Sequence, residues 1–376
     1  MVFLRRRSSQ QQHQIMQGGG GGEKGPLNRV RCILKLVFVI LNNIYCIPTY
    51  LVWNWVFFLP LRLLQLPLYH KLEGVLFKWL LCMVSAWSWG SKYYIYEVGD
   101  EVSDLYEEPC LVLVNHQSTG DVPMLMQAFQ NKSQVTRHMI WILDRLFRYT
   151  NFGLVSATHG DYFITQGKNT RENQLQELQR HLTHSYLRRG QQWIVLFPEG
   201  GFLFKRKETS QKYARENNYP VLERLSLPRA GALHAVLDTL RPERLRDSAQ
   251  PIKWIIDITV AYPDQSDPLT LFEITLGSRP PCSTFLHYRR FPVEGVPQDP
   301  EALKLWLYDR WSEKEQLLNS FYKDGEFEDN TIESLSPRQV TLQNWWIVVL
   351  HVIFISSTAF HAILAWKLGV FIFGSH

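Results

Sequence analysis

Hydrophobic and polar positions divide this chain into two apolar ends and a mixed middle. From Leu36 to Leu61 runs LVFVILNNIYCIPTYLVWNWVFFLPL, 26 residues without a charge. About 20 such residues match the ~30 Å hydrocarbon core of a bilayer. Asn42, Asn43 and Pro48 interrupt the run near its middle. It therefore fits either a single span or a re-entrant hairpin of two short helices. Residues 68–91 place Leu72, Val75, Leu76, Trp79, Leu80 and Met83 at helical spacing, with Lys71, Glu73 and Lys78 mostly on another face. That pattern predicts an amphipathic helix lying in the membrane interface, or a buried core helix. A second uncharged run covers the 28 residues Gln339–Trp366, with Trp345 and Trp346 at one end and Trp366 at the other. Aromatic residues at both ends are the interfacial belts expected of a C-terminal transmembrane helix.

The middle reads differently. Short apolar runs recur at Tyr93–Val98, Cys110–Val114, Gly153–Ser156, Gln192–Phe197, Ile252–Ala261 and Leu271–Leu276, and helical stretches at 168–189 and 301–322 lie among them. Strands alternating with helices predict an α/β fold, with a mostly parallel central sheet flanked by helices. Residues 1–28, with Gln10–Gln12 and five glycines at Gly18–Gly22, read as a disordered basic tail. Membrane-anchoring helices follow at 29–91, the α/β domain at 92–335, and the C-terminal helix and tail at 336–376.

Charge changes the picture only once it is located. The chain of 376 residues carries +5 in total, which by itself suggests an anionic partner such as nucleic acid. Residues 1–35 hold seven Lys/Arg and one acid, +6, so the remaining 341 residues sum to −1. The basic excess is an orientation signal: basic residues before an apolar run keep the N-terminus in the cytosol. Hydrophobic residues at 45% exclude a globally disordered chain. Five scattered cysteines with no CxxC imply neither a disulfide framework nor a zinc site, and fit a reducing, cytosol-facing compartment.

Two strand ends carry candidate chemistry. In CLVLVNHQSTGDVPML, the apolar run Cys110–Val114 ends in Asn115-His116, and Asp121 follows about one helical turn later. Ligands of parallel sheets bind at the carboxyl ends of strands. A carboxylate that holds one imidazole N–H leaves the other nitrogen as a base. The same spacing also serves a helix N-cap by Ser118 or Asp121 beside a hydrogen-bonded histidine. In QQWIVLFPEGGFLFKRK, an apolar run meets Pro198-Glu199-Gly200-Gly201, then Lys205, Arg206 and Lys207. Paired glycines let backbone N–H groups approach an anion, and the basic cluster suits phosphate. An ordinary turn before a solvated charge run reads the same way. Gly160–Lys168 (GDYFITQGK) ends like a nucleotide-binding loop but lacks its spacing. No GxSxG or HExxH motif supplies a nucleophile or a metal site.

In this order and spacing, four blocks resemble the glycerolipid acyltransferase family, which includes the 1-acylglycerol-3-phosphate acyltransferases. Asn115–Asp121 (NHQSTGD) matches the family's His–four–Asp block. Gly160–Gln166 (GDYFITQ), Phe197–Gly200 (FPEG) and Ile258–Pro263 (ITVAYP) resemble the second, third and fourth blocks. The likeness covers roughly residues 90–265. The layout of the whole chain is most similar to the branch acting on lysophosphatidylglycerol, and also similar to the lysocardiolipin branch.

The resemblance implies a membrane-bound, acyl-CoA-dependent lysophospholipid O-acyltransferase with His116 and Asp121 catalytic. It implies substrate or phosphate contacts from Asn115, Ser118, Gly160, Phe163, Gln166, Lys168, Pro198, Glu199, Gly200, Gly201, Lys205 and Pro263. Acyl-CoA is expected as co-substrate, with no bound cofactor, metal or nucleic acid. The second block usually ends in a basic residue and here ends in Gln166; the third usually continues with Thr and here continues with Gly201. Both departures favour a lysophosphatidylglycerol or lysophosphatidylethanolamine headgroup over lysophosphatidic acid. Lysocardiolipin, lysophosphatidic acid and monoacylglycerol are the alternative acceptors, and a non-enzymatic membrane scaffold the competing class. The expected place is the endoplasmic reticulum membrane, with the site on the cytosolic side. Cytosolic acyl-CoA favours the hairpin for 36–61, which leaves the Asn131-Lys132-Ser133 sequon unglycosylated.

Overall fold

The computed structural model describes residues 26–165, 167, 171–245, 250–329 and 336–373. The tail expected at 1–28 lies outside them, apart from Pro26–Asn28, which open a helix. That helix, α1 (Pro26–Val52), continues through a wide turn at Trp53–Phe57. A short α2 (Leu59–Leu63) leads to α3 (Pro67–Trp89). The apolar run 36–61 thus does not fold back on itself. The reversal comes later, at Leu64–Leu66, where Gln65 takes φ +54°. Pro67 then opens α3 at its first turn, where its missing N–H costs nothing.

Eight strands form one sheet in the order β4-β3-β5-β2-β6-β7-β1-β8. They are β1 (Tyr93–Gly99), β2 (Cys110–Val114), β3 (Met139–Asp144), β4 (Tyr162–Ile164), β5 (Trp193–Leu196), β6 (Trp254–Ala261), β7 (Cys282–Pro292) and β8 (Arg338–Gln339). The five strands from β4 to β6 are mutually parallel, and β7 is antiparallel to β6. Every residue of β2 is buried, as an inner parallel strand covered on both faces requires. The last strand lies beyond residue 335, so the sheet reaches past the boundary expected for the α/β domain.

Two apolar layers cover the sheet. One packs α1, α3, α4 (Asp121–Phe129), α5 (Asn151–His159) and the first turns of the C-terminal helix against Val112, Trp141 and Ile256. The other packs α6 (Arg171–His181, continued as helix to Arg189) and two later helices against Leu111, Ile140 and Ile255. After α7 (Leu203–Glu216), those helices are α8 (Ala230–Leu240) and, beyond the short α9 (Leu271–Leu276), α10 (Pro300–Asp324). The C-terminal helix is α11 (Asn344–Phe373). Residues 26–57 and 344–372 are long and apolar enough to cross a membrane, and most of their surface faces outward.

Two runs expected as strands are helical. Gly153–Ser156 lies inside α5, which Thr150 caps by accepting from the Gly153 N–H. Leu271–Leu276 is α9, with a reciprocal Thr270/Glu273 capping box and a left-handed stop at Gly277. A short apolar run does not distinguish strand from helix by periodicity; its caps do. Strands β3, β4 and β7 did not stand out in the sequence pattern.

Candidate active site

The site sits at the carboxyl edge of the parallel strands, where β2 lies between β5 and β6. The chain leaves β2 at Asn115 and enters α4 at Asp121, and the connection is held from three sides. Asn115 is fully buried and clamps β6: its Oδ1 accepts from the Val260 N–H (2.7 Å) and its Nδ2 donates to the Val260 carbonyl (3.1 Å). The Ser118 hydroxyl donates to the Leu269 carbonyl at 2.8 Å, and Thr119 Oγ1 accepts from the N–H that starts α9 at 3.1 Å. Gly120 passes so close to Leu269 that a Cβ there would lie 2.2 Å from its carbonyl oxygen, so only glycine fits.

This frame fixes the dyad. His116 Nδ1 lies 2.8 Å from Asp121 Oδ2. The same oxygen accepts the N–H groups of Gln117 (2.8 Å) and Ser118 (3.0 Å), while Oδ1 accepts the Tyr262 hydroxyl at 2.6 Å. Four donors saturate a carboxylate with no exposed surface. A carboxylate only accepts, so His116 carries its proton on Nδ1. Its Nε2 makes no hydrogen bond among the described residues. The imidazole is 13% exposed and lies against Phe197 (4.2 Å) and Phe202 (4.3 Å). A base nitrogen is thus presented at an aromatic opening. Burial, followed by the Asp121 charge and its hydrogen bond, raises Tyr262 well above the ordinary phenol range. It stays a donor throughout any working pH.

Glu199 has a different place from the phosphate contact expected of it. It is fully buried and points inward. Its Oε1 accepts from the His116 N–H at 3.1 Å and from Trp311 Nε1 at 3.3 Å, and Oε2 accepts from the Ser226 N–H at 3.1 Å. It therefore braces the histidine backbone from within the core. Burial pushes its carboxyl up to about 8, partly offset by those donors. Nearby, Lys314 of α10 is fully buried, 2.9 Å from Asp257 and 2.5 Å from the Ile258 carbonyl. Burial lowers its pKa, opposed by Asp257. This pair fixes β6 just before Val260.

The remaining predicted residues divide by place. Asn115 and Ser118 are buried, and their side chains hydrogen-bond to backbone groups of neighbouring segments. Pro198, Gly200 and Gly201 form the turn after β5, with φ +68° and +156° at the glycines. The Gly200 N–H is taken by the Phe197 carbonyl at 3.1 Å. Lys205 is exposed at the start of α7, over the Phe202 and Phe204 rings. Pro263 follows β6 directly after Tyr262. Gly160 sits at the opposite, amino edge, where it ends α5 in a left-handed conformation, φ +107°. Phe163 is in β4, with the Arg148 guanidinium over its ring. Gln166 and Lys168 lie outside the described residues.

Several participants had no assigned role in the sequence reading. Tyr262 lies in the fourth block, but only its fold position brings it to Asp121. Arg229 lies beside Gly200 and donates its N–H to the Pro198 carbonyl at 2.8 Å, with its guanidinium near the turn. Arg145 and Arg148 are exposed just past the end of β3. No spacing rule in the sequence singles these out.

Comparison with known proteins fits this geometry. Residues 95–260 match the family model described as Acyltransferase, and residues 276–348 the model described as Acyltransferase C-terminus. Human acyl-CoA:lysophosphatidylglycerol acyltransferase 1 is 41% identical over 85% of this chain and 90% of its own length. The mouse protein of the same name is 42% identical over 85% and 90%. The crystal structure of the 1-acyl-sn-glycerophosphate acyltransferase PlsC from Thermotoga maritima matches 73% of this chain and 93% of its own, at 13% identity and a TM-score of 0.39. This chain is an enzyme, and it belongs to the glycerolipid acyltransferase family.

Proposed function

We propose that the chain transfers a fatty acyl group from acyl-CoA to a free glycerol hydroxyl of a lysophospholipid, with lysophosphatidylglycerol or lysophosphatidylethanolamine as the favoured acceptor. The observation that carries this reading is the dyad: an imidazole oriented by a buried, four-fold bonded carboxylate, with Nε2 at an aromatic opening. His116 Nε2 takes the hydroxyl proton as the oxygen attacks the thioester carbonyl carbon. Asp121 stabilises the imidazolium that forms. The carbon–sulfur bond breaks, and the departing thiolate takes the proton back as coenzyme A. No acyl-enzyme and no bound cofactor are needed. Arg229 and Lys205, with the exposed Arg145 and Arg148, supply positive charge at the same edge for substrate phosphates. The names of the human and mouse relatives support the acceptor class. The enzyme works in the endoplasmic reticulum membrane, with its site on the cytosolic face where acyl-CoA is supplied.

The test is acyl transfer by purified full-length protein across a panel of lysophospholipids and acyl-CoAs. His116→Ala is expected to lower kcat by about 10²–10⁴, the usual worth of a positioned general base, with unchanged expression and membrane association. Retention of most activity in that variant rejects the mechanism. Exclusive use of a lysocardiolipin or monoacylglycerol acceptor rejects the headgroup assignment alone.

A further inference from the structure

His116 is held by its backbone as well as by its ring. Its N–H donates to Glu199 Oε1 at 3.1 Å, and its carbonyl accepts the Leu203 N–H at 2.9 Å. Both partners belong to the segment that leaves β5, so the pairing of β2 with β5 continues past the ends of the strands. On one side of that continuation, a side-chain carboxylate stands where a strand would offer a fixed peptide carbonyl. A glutamate side chain turns about several bonds, and ordering them costs conformational entropy. Glu199 therefore fixes His116 only as firmly as Glu199 is itself fixed.

Helix α10 does that fixing. Trp311, an indole with no exposed surface, donates from Nε1 to the same Oε1 of Glu199 at 3.3 Å. On the same face of α10, Lys314 Nζ lies 5.1 Å from the centre of the Trp311 ring and pairs with Asp257 at 2.9 Å. That face of α10 thus meets both neighbours of β2: β5 through Glu199, and β6 through Asp257 and the Ile258 carbonyl. The other tie on Glu199 is the Ser226 N–H, 3.1 Å from Oε2. Of the three donors to Glu199, Trp311 is the one side chain, and it shares its acceptor oxygen with the His116 N–H.

We propose that Trp311 is a positioning residue for acyl transfer: through Glu199 it sets the place of the His116 backbone, and so the reach of Nε2 to the acceptor hydroxyl. The proposal rests on the general-base role of His116. Asp121 orients the ring but does not hold the peptide that carries it. Without the indole N–H, Oε1 keeps the His116 N–H as its one tie, and the two can shift together. A misplacement of about 1 Å at a reacting centre costs roughly 100-fold in rate. Trp311 lies in the core beneath Glu199, so substrate binding stays as it was.

The experiment measures kcat and KM of the full-length protein for Trp311→Phe, Glu199→Gln and the double variant. Trp311→Phe keeps an apolar ring and removes the donor. Its kcat is expected to fall about fivefold to tenfold, less than a full misplacement costs because Leu203 and Asp121 still hold His116. KM for both substrates is expected to be unchanged. Because Trp311 acts through Glu199, the double variant is expected to lose no more than Glu199→Gln does by itself. Leu318→Ala, a truncation of another fully buried side chain on α10, is the control for loosened packing; it should lower the melting temperature and keep kcat. Wild-type kcat in Trp311→Phe, losses that multiply in the double variant, or a raised KM overturns the proposal. So does a kcat loss in Leu318→Ala equal to that in Trp311→Phe. Should Trp311→Phe not fold, the benzothiophene analogue of tryptophan at this position keeps the shape without the N–H and is read in the same way. Activity retained in His116→Ala rejects the general base itself, whereas an inactive His116→Ala beside an unaffected Trp311→Phe rejects the positioning role alone.

Discussion

Tyr262→Phe removes one hydroxyl and nothing else from the site. The ring keeps its buried place, and Asp121 loses its 2.6 Å donor on Oδ1. Three donors remain, all on Oδ2: His116, Gln117 and Ser118. The carboxylate therefore keeps its position and His116 its orientation. What changes is the charge. A hydrogen bond to a charged group contributes about 1.5–3 kcal/mol, and leaving a buried acceptor unmet costs a similar amount. Part of that is felt equally in ground and transition states and appears as lost stability. If about 1.4 kcal/mol of it falls on the transition state, kcat drops about tenfold. The assay is kcat and KM for acyl-CoA across pH, with KM expected to be unchanged. Wild-type kcat would refute the reasoning. So would a kcat loss as large as that of His116→Ala, because it would mean that Asp121 had lost its place.

Two further variants probe the frame around the dyad. Burial pushes the Glu199 carboxyl from 4.5 up to about 8. The folded state therefore holds an extra proton between those values, and stability present below the lower one is lost as pH rises through the upper, by at most about 5 kcal/mol. Thermal melts should fall between about pH 4.5 and 8 and level off above, and Glu199→Gln should flatten that fall; equal slopes in both proteins refute the assignment. Lys314→Met leaves Asp257 charged and unpaired in the core, which costs about 3–5 kcal/mol. Adding Asp257→Asn should recover much of the lost melting temperature, and no recovery means that the pair is not the cause.

Local patterns were enough for the chemistry of the first block and the kind of fold. An apolar run buried on both faces reads as an inner strand, because every position of β2 must tolerate a dry neighbour. His116 and Asp121 are five residues apart and close on each other through one turn of chain, so local geometry alone brings them together. The lengths of the apolar ends likewise follow from composition. The tertiary structure decided the rest. Tyr262 reaches Asp121 across 141 residues of sequence and Trp311 reaches Glu199 across 112, and no spacing rule links such positions. Glu199 shows why the distinction matters. Beside two glycines and a basic run it reads as part of an anion site, yet β5 turns it inward to hold the His116 backbone.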